Sequence, residues 1–281
     1  QILFYCRDLG NFFNIELYSG MMEYARRVGY MIVMSGTFDF EQINTMMIDG
    51  VILPNQEIAN RYEKLGKQRS GLPVVAASYG VALVSQRDIP YIDCDVYVAM
   101  ENALDYLNRK GHERIAFATP YTIFDPVGGG RHIAYLNRMR PIFGKDLEKY
   151  ILDGYFKGGD AFQQEDFFTE GKHAASDFIR RGLDATAIVC FNDNLALGML
   201  KQFQDMGVCV PEAVSIVGID GTNIRRYVTP ALTSVDLSTS RQGAECVRVL
   251  LDMIEGGHVR SVTSVPIGLI EGESVRDLKL K

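Results

Sequence analysis

No run of apolar residues in this chain approaches the roughly 20 needed to cross a bilayer as a helix, so no membrane contact is expected. No basic stretch followed by a short apolar core marks a signal peptide. Positive charge is not in excess. The net charge is −6, which offers no nucleic-acid surface within these residues. No CxxC pair occurs. The five cysteines, Cys6, Cys94, Cys190, Cys209 and Cys246, are odd in number and widely spaced. Four of them lie in apolar runs, where a thiol behaves as a small hydrophobe. That argues against a disulfide framework and for a reducing, cytoplasmic setting. Histidine is scarce, and no two of His112, His132, His173 and His258 have metal-ligand spacing. No GxSxG elbow and no complete phosphate-cradling pattern is present. Catalytic residues, a metal and a cofactor are therefore not expected. The chain opens directly into the apolar Ile2-Leu3-Phe4-Tyr5 without an initiator Met, so an excised fragment is the expectation.

What is there is an alternation. At roughly 150 residues per domain, 281 residues suggest one large or two medium domains. Apolar content of 47% and charged content of 23% fit a folded chain rather than a disordered one. Short apolar runs at 2–6, 30–34, 50–54, 74–77, 115–118, 187–191, 214–219 and 262–267 read as strands. Amphipathic runs at 15–28, 40–47, 95–109, 131–142, 169–181, 192–206 and 239–254 read as helices. The fold class expected is α/β, with parallel sheets flanked by helices. Strands 187–191 and 214–219 are almost wholly apolar, which suits burial on both faces. So many strands would overfill one lobe, and no Gly/Ser/Pro-rich linker divides the chain. Two lobes joined by ordered crossings near Ile92, Val235 and Ile267 are expected: residues 1–91 with 237–266, and 92–236 with 267–281.

Polar residues at strand ends are the candidate ligand groups, because ligands of parallel sheets bind at the C-terminal ends of the strands. Asn192-Asp193 follows one buried strand and opens a helix. One of the pair is expected as the helix cap, the other as a ligand contact. Asp220 ends the next strand, and its carboxylate can accept two hydroxyl hydrogen bonds. Arg131, near a helix start, opposes the helix dipole. Either it reaches a ligand with its guanidinium fork or it is a solvated surface residue. Phe12-Phe13 with Asn14, and Phe167-Phe168, could cover a sugar face or simply pack the core. Gly128-Gly129-Gly130 is at most a partial phosphate loop.

The segment from Thr186 through Asn192-Asp193, Ala196 and Gly198 resembles the "TAI…ND..A.G" pattern of LacI/GalR-type bacterial transcription regulators. Gly207…Val210-Pro211…Ser215…Gly218-Ile219-Asp220 resembles that family's "G..VP.D.SV.GFDD". Pro230-Ala231-Leu232-Thr233-Ser234-Val235 is similar to "P.LTTV", and Gly111-His112 to Ala116 is similar to "GH.RIA". Near the start, Asp8…Asn11-Phe12-Phe13…Glu16-Leu17 resembles "D.SNPFF.EL", so the likeness spans essentially the whole chain.

The resemblance implies a periplasmic-binding-protein-like fold with three crossovers. It implies the effector-binding and dimerising part of a repressor, whose helix-turn-helix module precedes Gln1 and reaches operator DNA. It implies a homodimer and a small effector, a sugar or sugar derivative, in the cleft between lobes. Carried over by motif, the ligand-binding residues are Phe13, Asn14, Ser78, Tyr79, Arg131, Phe167, Asn192 and Asp220. Phe12 stands where the family has proline, Ser78 where an acidic residue is frequent, and Gly221 in place of a second Asp. Most of the first-lobe departures touch ligand positions. Two rivals are a periplasmic sugar-binding protein of an ABC transporter and a nucleotide-using α/β enzyme. The scattered cysteines and the "GH.RIA" segment oppose the first, and the missing phosphate motif opposes the second.

Overall fold

The computed structural model describes residues 1–6, 10–36, 47–54, 72–79, 89–122, 129–153 and 166–280, without the side chains of Ser78 and Tyr79. Of the helix expected at 40–47, only Met47 lies within these residues. In chain order the strands are β1 (Ile2–Tyr5), β2 (Ile32–Ser35), β3 (Gly50–Leu53), β4 (Val74–Tyr79), β5 (Tyr91–Cys94) and β6 (Ile115–Ala118). They continue with β7 (Ile151–Leu152), β8 (Ala187–Cys190), β9 (Ser215–Asp220), β10 (Thr233–Asp236), β11 (Val262–Ser264) and β12 (Gly268–Ile270). The α-helices are α1 (Phe12–Arg27), α2 (Val96–Arg109), α3 (Gly129–Phe143), α4 (Phe167–Arg181), α5 (Asp193–Asp205) and α6 (Thr239–Ile254).

The chain forms two compact units, Gln1–Asp95 with Ser238–Pro266 and Val96–Leu237 with Ile267–Lys281. Each holds a six-stranded sheet, ordered β11-β5-β4-β3-β1-β2 in unit 1 and β12-β10-β9-β8-β6-β7 in unit 2. Numbered within its own unit, each sheet has the same strand order. All pairings are parallel except β10 with β12. The segments around Ile92 and Val235, where ordered crossings are expected, are strands β5 and β10. Their alternation of apolar and polar residues carries too weak a signal over four positions to declare a strand. The strand expected at 262–267 is shorter, β11 at Val262–Ser264, and a further strand, β12, follows after Val265-Pro266-Ile267. Proline lacks the N–H that a continued ladder would use.

Side-chain caps explain where two helices begin. The Asn11 carboxamide oxygen accepts from the Phe13 N–H at 3.0 Å, so α1 starts at Phe12 rather than residue 15. Asp166 accepts from the Thr169 N–H at 3.1 Å, so α4 starts at Phe167 rather than residue 169. The buried His112 explains the "GH" of the motif around it. Its Nε2–H donates to the Arg276 carbonyl at 3.0 Å, and its Nδ1 accepts from the Thr186 hydroxyl at 2.8 Å. It thereby fastens the C-terminal segment to unit 2, and burial lowers its pKa, which keeps it neutral. Cys6, Cys94, Cys190 and Cys246 are buried free thiols and Cys209 is exposed. Among the described residues no helix is long and apolar enough to cross a membrane.

One helix pair in each unit packs through glycine. A Cβ on Gly243 of α6 would overlap the Leu17 carbonyl of α1, and one on Gly20 would overlap Ser240. In unit 2 a Cβ on Gly171 of α4 would overlap the Leu195 carbonyl of α5, and one on Gly198 would overlap Phe168. The obstacle is backbone, which cannot rotate away as a side chain can. Gly243→Ala is therefore expected to lower unfolding stability by about 1–3 kcal/mol in urea titrations. Ser19→Ala, on the exposed face of α1, should stay within about 0.5 kcal/mol.

Candidate functional site

In unit 2 the parallel strands β6, β8 and β9 deliver their C-terminal ends to one edge, and α3 begins against it. Phe191, just after β8, is the hub. The Arg131 guanidinium carbon lies 4.4 Å from its ring centroid. The rings of Tyr121 and His132 meet it edge-on at 5.3 and 6.2 Å, and Phe167 stacks at 6.4 Å. His132 is held in turn, its Nε2 2.9 Å from the Thr119 hydroxyl.

Arg131 is only 6% exposed, which removes the reading of a solvated surface residue. Its nearest guanidinium nitrogen is 3.8 Å from the carboxylate of Asp220, itself 4% exposed. That separation exceeds a direct hydrogen bond of about 2.7–3.2 Å. A buried cation and a buried carboxylate thus face each other across 3.8 Å. Asp220 also carries φ = 136°, a conformation that costs a non-glycine residue about 1–3 kcal/mol. Of the triple glycine, Gly128 lies outside the described residues. Gly129 and Gly130 are the first residues of α3, and a Cβ on Gly130 would press on the Tyr97 backbone of α2 at 2.9 Å.

The choice between Asn192 and Asp193 is resolved by their hydrogen bonds. Asn192 caps α5, its side-chain oxygen accepting from the Leu195 N–H at 2.9 Å. Asp193 is fully buried. It accepts from the Thr222 N–H and the Thr222 hydroxyl, each at 2.8 Å, and from the Ser234 hydroxyl at 2.6 Å. Ser234 in turn accepts from the Gly221 N–H at 3.0 Å. Burial pushes Asp193 up to about 6, against the pull of these hydrogen bonds. Burial and then repulsion from Asp193 raise Asp220 well above the usual carboxylate range, and Arg131 offsets this only in part.

The structure thus brings Arg131, Phe167, Asn192 and Asp220 together at one edge of unit 2. The unit 1 candidates are placed separately. Phe13, buried, and Asn14, half-buried, occupy the first turn of α1 after β1, and Ser78 and Tyr79 are the last residues of β4. Phe191, Tyr121 and His132 are not among the residues expected from sequence, and Asp193 is expected there only as the helix cap or a ligand contact. Phe191 alone carried a usable signal, its place at the end of a buried strand.

Two parallel α/β units of one strand order, with buried polar groups where strands end, define a ligand-binding class of protein. The chain belongs to the family of periplasmic binding protein-like domains, whose model matches residues 104–275, and within it to the effector-binding domains of LacI-type regulators. It is 30% identical over 231 residues to the HTH-type transcriptional repressor PurR of Erwinia tasmaniensis, covering 75% of this chain and 64% of the relative. Catabolite control protein A of Priestia megaterium is 28% identical over 253 residues, covering 86% of this chain and 71% of that one. The chain thus spans about two thirds of the length of these relatives. In fold it is similar to a LacI family transcriptional regulator from Enterococcus faecium with bound ribose, at a TM-score of 0.78, 19% identity and 99% of each chain.

The raised Asp220 has a consequence for stability. In the unfolded chain this carboxyl ionises near its ordinary value of 3.8, whereas the folded one keeps its proton to higher pH. The folded state therefore loses stability as pH rises past that value. Asp220→Asn, the isostere of the protonated form, is expected to raise the melting temperature at about pH 7.5 by roughly 3 °C or more and to change it little at about pH 4. Scanning fluorimetry across that range decides it; a melting temperature unmoved, or lowered, by the substitution at both ends contradicts the assignment.

Proposed function

We propose that this chain is the sensing part of a bacterial transcriptional repressor, which binds a small carbohydrate effector and releases it unchanged. Like the HTH-type relatives, the whole protein would reach operator DNA through a helix-turn-helix module outside these residues. It would work as a homodimer in the cytoplasm. The relatives that support this are regulators, and no step of the reading calls for covalent chemistry. One observation carries the ligand reading: the buried Arg131 lies on the Phe191 ring and faces the buried Asp220 across 3.8 Å. Sugar hydroxyls can donate to Asp220 and accept from Arg131, while the C–H face of a sugar ring packs on aromatic rings. Phe13, Asn14, Ser78 and Tyr79 are proposed as further contacts from unit 1.

Effector binding changes operator affinity only by the difference in its affinity for the DNA-competent and DNA-incompetent states. The first requirement is therefore the ligand itself. In a thermal-shift screen of monosaccharides, a true effector at about 100 times its Kd is expected to raise the melting temperature by roughly 5 °C. Arg131→Ala and Asp220→Ala should each abolish that shift. Full shifts in both variants would place the ligand elsewhere.

A further inference from the structure

At the N-terminal end of the unit 1 strands, apolar side chains stand in solvent around one point. β1 is flanked on both sides, by β2 and β3, and both ladders hold as far as its start. The Ile2 N–H donates to the Met31 carbonyl at 2.9 Å, and the Asp49 N–H donates to the Gln1 carbonyl at 2.8 Å. The Gln1 nitrogen is itself held by the Asp49 carboxylate. The path of the chain is therefore fixed up to its first residue. Around that residue Met31 is 62% exposed, Met47 93% and Val28 43%. Val28 and Met31 belong to the turn between α1 and β2, and Met47 to the approach to β3.

Single exposed apolar residues are ordinary on any surface. Three gathered at one end of one sheet, beside a fixed chain entry, mark a surface that something covers. Methionine suits such a role, because its unbranched, polarisable side chain adapts to the shape of what it meets. The exposed Arg26 and Arg27 at the end of α1, with Asp49 near Gln1, supply a polar rim. A segment entering β1 reaches it between Met31 on one side and Asp49 on the other. Covalently joined there, it meets the patch at a far higher effective concentration than any free partner. In the repressor PurR and in catabolite control protein A, about a third of the length lies outside the match with this chain.

We propose that the segment leading into Gln1 docks on this patch, laying apolar side chains on Val28, Met31 and Met47. The DNA-reading module is then carried at a fixed orientation to unit 1 rather than on a free tether, so that a movement of unit 1 reaches it. The proposal rests on the regulator reading above, which supplies the module, and adds the surface that holds it.

Limited proteolysis of the whole protein, with the segment that precedes Gln1 in place, tests it. Cleavage in that segment is followed by mass spectrometry in wild type and in the double variant Met31→Gln/Met47→Gln. Met22→Gln, at an exposed methionine of α1 away from Gln1, is the control. Met31 and Met47 are exposed, so the melting temperature of the double variant is expected to stay within about 2 °C of wild type. Cleavage tracks the undocked fraction, so the double variant should be cut at least about fivefold faster than wild type. Met22→Gln should stay within about twofold. Equal rates in wild type and the double variant overturn the proposal. Protection that is lost on about hundredfold dilution assigns the patch to a second copy and overturns it as well. A whole protein that is protected before Gln1 yet binds no DNA keeps the docked segment and overturns the regulator reading, so the two failures are distinct.

Discussion

A carboxylate without solvent exposure stands at the first residue of α5, and the edge of unit 2 is arranged around keeping it satisfied. A buried carboxylate is tolerable only when its oxygens are hydrogen-bonded. Asp193 draws its donors from Thr222 and Ser234, one just past β9 and one on β10. Space for it exists because β9 carries Gly218 beneath it. The same bonds fasten the chain immediately after Asp220, which holds that residue at φ = 136° and aims its carboxylate toward Arg131.

The scaffold beneath is one plan used twice. Both sheets have the same strand order, and both carry a helix pair that crosses at glycines. Parallel strands matter here for a simple reason: all of them end on the same side. Residues far apart in the chain, such as Thr119, Phe191 and Asp220, therefore arrive at one edge without any special turn. Aromatic rings fill the spaces between them, which takes water away from Arg131 and Asp220 and strengthens every electrostatic effect at that edge.

Much of this was legible beforehand. The periodic signal locates most strands and helices to within about two residues. The errors have physical causes. Helix starts are decided by a single cap hydrogen bond, as at Asn11 and Asp166, and periodicity does not register it. Strands β5 and β10 are edge-side segments whose half-polar patterns resemble connections. Arg131, Phe167, Asn192 and Asp220 could be nominated because strand ends and family motifs marked them. His132 and Tyr121 could not, since an aromatic bound for a ligand edge and one bound for a core look the same in sequence.

Taken alone, the sequence determined the alternation of strands and helices, the two-lobed α/β class, the family likeness and the candidate strand ends. These depend on neighbours a few positions apart, or on motifs in order. Only the tertiary structure decided that Asn192 is the cap and Asp193 the buried acceptor, that Arg131 is buried, and that Asp220 is pushed upward. Each of those outcomes depends on partners brought from afar. Thr222 lies 29 residues and Ser234 41 residues from Asp193. A carboxylate's protonation is set by burial and by such neighbours, so no reading of the local sequence could have assigned it.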